Sequence, residues 1–122
     1  MEFEDNVPIY LQIVVLIKKR IIQGSLKPGD KIPSVRELAE EVKVNPNTIS
    51  RAYQELEREK ITETKRGMGT FISGDENMME AIRSEFSASM VTRFIRDMRE
   101  TGFSDEEILT LLASAIHTEG GK

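Results

Sequence analysis

Five polar residues lie within seven positions of one another: Asn45, Asn47, Thr48, Ser50 and Arg51. Each can hydrogen-bond in a defined direction, and together they carry the donors and acceptors that read the edges of base pairs. Arginine can grip guanine with two parallel bonds, asparagine can do so with adenine, and serine or threonine serves either base. A second set is Lys65 and Arg66 followed by Gly67 and Gly69. Two cations on a loop that turns tightly suit a neighbouring phosphate or a minor groove. Arg36, ten residues ahead of Pro46, is a third candidate for phosphate or a base edge. Each group also has a plainer reading. The first set could be the solvated face of a helix, Arg36 could pair with a carboxylate such as Glu40, and the loop cations could simply be hydrated. The elements around them decide between these readings.

The polar quintet needs a helix, and the sequence supplies one. Asn45 is a good N-cap and Pro46 a good first helical residue, and Ile49, Ala52, Tyr53 and Leu56 repeat at helical spacing. The preceding helix starts at Ser34, where Ser34 and Glu37 form a capping box. Val35, Leu38, Ala39 and Val42 form its stripe. Only Lys43 to Asn45 separate the two, which is the layout of a helix-turn-helix. After Lys60 the period changes. Ile61–Thr64 and Thr70–Ser73 read as short strands around the loop 65–69. A hairpin directly behind a helix-turn-helix reads as a wing, and it favours nucleic-acid contact for the polar quintet, Arg36, Lys65 and Arg66.

Upstream, a helix is expected from about Pro8 to Gln23, closed by Gly24, with Ile9, Tyr10, Ile13, Val14, Leu16, Ile17 and Ile21 on its apolar face. Lys18, Lys19 and Arg20 sit in its last turns, where cations complement the helix dipole. The stretch Gly24 to Asp30, with Pro28-Gly29 at its centre, reads as turn. Downstream, a long helix is expected from about Glu76 to Thr101. Its stripe of Met79, Ile82, Phe86, Met90, Phe94 and Met98 recurs every three or four residues. Gly102 ends it. Ser104 and Glu107 cap a final helix with Ile108, Leu111, Leu112 and Ala115 on one face. A helix this long with one short helix after it lacks cover from its own chain. The stripe therefore reads as a two-fold dimer interface formed by Met79, Ile82, Phe86, Met90, Phe94, Met98, Ile108, Leu111 and Leu112, with intramolecular core as the other reading.

The whole chain bounds these assignments. Its 122 residues carry a net charge of −4, which looks wrong for a partner of DNA. The distribution answers this: residues 1–74 hold 12 Lys and Arg against 11 Asp and Glu, and residues 75–122 hold 5 against 10. There is no cysteine, so disulfides, thiolate metal sites and cysteine nucleophiles are excluded together. No apolar run approaches the ~20 residues that span a bilayer, and Met1-Glu2-Phe3-Glu4-Asp5 is acidic where a signal peptide is basic. A cytoplasmic protein without membrane contact is expected. Catalysis finds little support. His117 is the sole histidine and reads as a surface residue, Asp105-Glu106-Glu107 serve the helix start, and Gly67-Met68-Gly69 is too short for a phosphate-binding loop. No enzyme activity and no cofactor are expected, although a carboxylate-only metal site stays open.

Three segments together carry a family resemblance: Leu26 to Glu41 (LKPGDKIPSVRELAEE), Val44 to Glu57 (VNPNTISRAYQELE) and Arg66 to Ile72 (RGMGTFI). With their spacing, residues 8 to 73 resemble the GntR family of bacterial winged-helix regulators, commonly repressors. The resemblance implies DNA contact by Arg36, by Thr48, Ser50 and Arg51, and by Arg66 and Gly67. Larger branches of that family place an arginine at the position of Ser50 and often a basic residue near Pro46. This sequence differs at both, and Arg51 is expected to take part of that role. Most branches also carry a long effector domain, whereas 48 residues follow Gly74 here. That short tail resembles the YtrA subfamily, whose members dimerise through it and often regulate transporter operons.

The expected fold class is mainly α with a small β-hairpin: a winged helix-turn-helix domain at 1–74 and a C-terminal helical dimerisation segment at 75–122. The expected function is a homodimeric repressor on a pseudo-palindromic double-stranded DNA operator. A ligand-gated sensor, with an unidentified small-molecule effector against Phe86, Met90 and Phe94, and a winged-helix module that binds protein are the alternatives.

Overall fold

The computed structural model describes Phe3 and residues 6–120; the rest of the acidic N-terminal run lies outside the described residues. The order of elements is α1 (Ile9–Ile22), α2 (Val35–Val42), α3 (Pro46–Arg58), β1 (Thr62–Lys65), β2 (Gly69–Ile72), α4 (Glu76–Glu100) and α5 (Asp105–Gly120). The chain divides into two compact units, Met1–Arg83 and Ser84–Lys122.

In the first unit, local signals and burial agree. Pro8 precedes α1 and Gln23 closes it. The Ser34 hydroxyl accepts from the Glu37 amide at 3.1 Å, while the Glu37 carboxylate accepts from the Ser34 amide at 2.9 Å, so both halves of the capping box are made. Lys43 adopts a left-handed conformation with φ 59° to end α2, and two residues later the Asn45 side chain accepts from the Asn47 amide at 2.7 Å to start α3. The core gathers Ile13, Ile17 and Ile21 from α1, Leu38 from α2, Ile49 and Leu56 from α3 and Ile72 from β2, all fully buried. At roughly 1.5–3 kcal/mol per buried aliphatic side chain, this cluster is what fixes α3 against α1 and α2. Ile9, expected on the inner face of α1, is instead exposed.

The hairpin pairs antiparallel from Thr62 with Ile72 to Lys65 with Gly69. Its second strand is also bonded on its other edge, by residues 29–32, of which Gly29 and Asp30 end the stretch expected to be turn. The Ile32 amide donates to the Thr70 carbonyl at 2.9 Å, the Ile72 amide to the Asp30 carbonyl at 2.7 Å, and the Gly29 amide to the Ile72 carbonyl at 2.9 Å. Residues 29–32 thus run alongside β2, with an isolated bridge between Lys31 and Phe71, and lead straight into the Ser34 cap. Lys18 and Arg20 also differ from expectation. Lys18 is buried and pairs with Glu59 at 3.1 Å, and Arg20 pairs with Glu41, so these cations tie α1 to α3 and to α2.

In the second unit, the Phe103 amide bonds the Met98 carbonyl at 3.1 Å and the Gly102 amide bonds the Arg99 carbonyl at 3.0 Å, closing α4 with Gly102 at φ 100°. Arg99 then forks onto Asp105 with bonds of 2.9 and 3.0 Å, and the Ser104–Glu107 capping box opens α5. Among the described residues no helix is long and apolar enough to cross a membrane.

Candidate nucleic-acid interface

At about 100° per residue, the buried stripe Ile49–Ala52–Tyr53–Leu56 fixes which residues of α3 face outward. Asn47, Arg51 and Gln54 lie opposite that stripe and are exposed. Ser50 and Glu57 flank it on the side of the hairpin, where Ser50, Gln54 and Glu57 line an open groove with Val35, Thr64 and Thr70. Thr48 is half-buried on the opposite flank. Asn45 spends its side-chain oxygen on the helix cap, which leaves its amide group as a donor. Sequence reasoning centred on the N-terminal residues of the helix and missed Gln54. The signal was there, since Gln54 follows Ser50 by four and Asn47 by seven.

The wing is fixed to α3 by a charge-assisted bond, as the Thr64 amide donates to the Glu57 carboxylate at 2.9 Å. On its strands, Thr64 and Thr70 bring their hydroxyls to 3.4 Å. Lys65 lies over the Phe71 ring at 4.7 Å. Arg66 is exposed at the tip beside Met68, which is 61% exposed. Gly67 and Gly69 both have positive φ, 77° and 121°, where a side chain is strained. At Gly69 a Cβ would also stand 2.6 Å from Cε of Lys31. The Lys31 stem therefore crosses the wing and brings a further cation to this surface, one that nothing in the sequence singled out.

Arg36 is exposed in the first turn of α2, and among the described residues it makes no ion pair with Glu40. Arg51 stacks on the Tyr10 ring with its guanidinium carbon 3.9 Å from the centroid. The Glu37 carboxyl is held below its ordinary range by the Ser34 amide, then by the Ser34 hydroxyl, with Lys31 adding to both. Burial pushes the Tyr53 hydroxyl up, and it donates to the Pro33 carbonyl at 2.7 Å. This bond joins the exit of the segment 29–32 to α3.

The tail residues divide into two sets. Ile82 and Ile108 are buried within the chain, and Met79, Phe86 and Met98 are half-buried. Met90, Phe94, Leu111 and Leu112, together with Val91, Leu109 and Ile116, remain 39–68% exposed. His117 is exposed on α5. Among the described residues no cluster of three or more His, Asp or Glu is placed to hold a metal ion.

Two helices joined by a three-residue turn, a polar outer face on the second and a cationic hairpin fixed beside it define a winged-helix DNA-binding protein. Residues 9–72 match the bacterial regulatory proteins of the gntR family, and the chain belongs to that family, in its YtrA-like subfamily. It is 43% identical to the uncharacterized HTH-type transcriptional regulator YhcF of Bacillus subtilis over 98% of both chains. To the HTH-type transcriptional repressor YtrA of the same organism it is 59% identical, over 56% of this chain and 52% of that one. A solved GntR family transcriptional regulator from Listeria monocytogenes superposes with a TM-score of 0.83 at 39% identity, covering 92% of this chain and 98% of that one. The DNA-binding domain of AraR, solved in complex with operator ORX1, superposes with a TM-score of 0.55 at 30% identity over 59% of this chain and 93% of that one. The protein is a DNA-binding transcription regulator and not an enzyme.

Proposed function

We propose that this regulator acts as a homodimeric repressor on a pseudo-palindromic operator, with residues 1–74 binding DNA and residues 75–122 forming the dimer. The observation that carries the reading is the apolar face of the second unit. Met90, Val91 and Phe94 on α4, and Leu109, Leu111, Leu112 and Ile116 on α5, stay 39–68% exposed in a single copy. Exposed large apolar side chains at helical spacing on α4, and again on α5, mark an association site. A second copy is the occupant that the first unit asks for, because a helix-turn-helix reads only one half-site and two-fold pairing supplies the other. The proposed interface also takes in Met79, Ile82, Phe86, Met98 and Ile108, which are half-buried or buried in a single copy.

On the DNA side, Asn47, Ser50, Arg51 and Gln54 meet base edges in the major groove, with Asn45 and Thr48 at the start of α3 on the adjoining backbone. Arg36 meets phosphate. Lys65 and Arg66 reach a neighbouring phosphate or the minor groove, with Gly67 and Gly69 giving the wing its close approach. Support for this assignment comes from the exposure of Asn47, Arg51 and Gln54 opposite the buried stripe of α3, from the bond that fixes the wing beside that helix, and from the operator complex of AraR. The proposed target is the protein's own operon, transporter-linked by its likeness to the YtrA subfamily, and the place of action is the cytoplasm.

The test is a gel-shift titration against the gene's own upstream DNA at two salt concentrations with excess nonspecific competitor. Competitor-resistant binding by a dimer, weakening as salt rises, is the expected result. A folded protein that stays monomeric, or that binds this DNA no better than competitor, would overturn the reading.

A further inference from the structure

Arg51 stands on the outer face of α3, on a long stem whose rotamer freedom must be given up when it makes a contact. Its natural partner along the helix is Glu55, one turn on, which would draw the guanidinium back along the helix surface. That partner is taken. Arg58 forks onto Glu55 with bonds of 2.7 and 2.5 Å. The Arg51 guanidinium lies instead across the ring of Tyr10, 3.9 Å from its centroid. Tyr10 sits in the first turn of α1, half-buried, and α1 is held against α3 by the fully buried Ile13 and Ile17 and by the Lys18–Glu59 pair.

Resting on the reading of Arg51 as a base contact, we propose that Tyr10 is a positioning residue, a ring that holds the Arg51 guanidinium ready for DNA. A stacked guanidinium engages the ring through its π face, and its in-plane N–H donors stay open. Those donors are the ones that grip guanine O6 and N7 or a phosphate. The stack also fixes the plane of the fork before DNA arrives, so that less rotamer freedom is lost on binding. Arg51 therefore acts from α3 with its orientation set by α1, an element that itself lies outside the helix-turn-helix.

The experiment measures fluorescence anisotropy on a duplex selected by the wild-type protein from a randomised pool, and on an unrelated duplex of equal length. The proteins are wild type, Tyr10→Phe, Tyr10→Leu, Arg51→Ala, Gln54→Ala, and the Tyr10→Leu, Arg51→Ala double variant, each checked by thermal melting. Tyr10→Phe keeps the ring and binds as wild type. Tyr10→Leu keeps apolar packing, loses the stack, and weakens the selected duplex roughly 3- to 10-fold, with the unrelated duplex unchanged. In the Arg51→Ala background the same substitution has no further effect. Equal weakening in both backgrounds would make Tyr10 merely structural and overturn the proposal. Tighter binding by Tyr10→Leu would also overturn it, by showing that the ring keeps Arg51 away from DNA. If Arg51→Ala itself leaves the selected duplex unaffected while Gln54→Ala weakens it, the base-contact reading of Arg51 fails and the proposal falls with it. If Arg51→Ala weakens binding but Tyr10→Leu does not, only the positioning role is refuted.

Discussion

Replacing Met90 by alanine should separate the dimer from the fold. Met90 is 59% exposed in one copy, and full burial of such a side chain is worth roughly 1.5–3 kcal/mol. Covering that remaining 59% would therefore contribute about 0.9–1.8 kcal/mol per copy, twice over in a two-fold interface. Alanine keeps its Cβ, so the net loss is about 1.5–3 kcal/mol per dimer, or roughly 10- to 100-fold in the dimer Kd. The isolated chain should hardly notice. Its Met90 faces solvent, alanine is the better helix former, and the folding change should stay within about 0.5 kcal/mol. Sedimentation equilibrium over a dilution series reads the dimer Kd, with Thr92→Ala on the opposite face of α4 as the control. Operator affinity should fall with the dimer, and affinity for nonspecific DNA should change less. If the wild type dimerises and Met90→Ala leaves its Kd within twofold, the exposed face of α4 is not the interface and the reasoning fails.

Two further outcomes are expected of the fold. Thr62 is buried at the start of β1 and its hydroxyl has no hydrogen-bond partner among the described residues. Thr62→Val should therefore raise stability by about 1 kcal/mol in urea denaturation, and a loss would mean that the hydroxyl has a partner. Glu37, Glu55 and Asp105 all have carboxyls held below their ordinary values, by Ser34, Arg58 and Arg99 respectively. A folded-state pKa below the unfolded one gives stability that is present above the ordinary carboxylate range and lost as pH falls through it. The urea midpoint should accordingly drop between pH 6 and about pH 3, less steeply in the Glu37→Gln, Glu55→Gln, Asp105→Asn variant, and identical slopes would refute the assignment.

What the sequence made legible was whatever is encoded locally. Ser34 with Glu37, Asn45 with Pro46 and Gly102 with Ser104 are short-range signals, and each lies where a helix begins or ends. Period also worked, because the core stripes of α2 and α3 are narrow and bounded by charge. It worked less well for α1, whose apolar residues run nearly all round. There the buried set of Ile13, Val14, Ile17 and Ile21 excludes Ile9, and Tyr10 serves Arg51 instead of the core. Partners far along the chain were not legible at all. Lys18 meets Glu59 across 41 residues, and no local rule distinguishes that pairing from a cation at a helix end. The segment 29–32 beside β2 went unread for the same reason. Its Pro28-Gly29 turn signal is strong, whereas its pairing with β2 depends on residues some forty positions later.

The backbone bonds of that segment to β2 help make the candidate interface one body. Residues 29–32 bond to β2 and then pass through Pro33 into the Ser34 cap, so the helix carrying Arg36 is joined to the wing by continuous backbone. Glu57 joins the wing to α3 at the Thr64 amide, and the Tyr53 hydroxyl returns from α3 to the Pro33 carbonyl. These links close a ring through segment, wing, recognition helix and cap. Within that ring, Arg36, the outer face of α3 and the wing cations are set relative to one another before any DNA is met. A rigid constellation of this kind binds with little ordering penalty and rejects half-sites whose groove geometry differs from its own. On the proposed reading, sequence preference depends on this closed ring as well as on the side chains that would reach the bases. On that reading Glu57→Gln should change the sequences selected from a randomised duplex pool, while Arg66→Ala should weaken binding to every duplex alike.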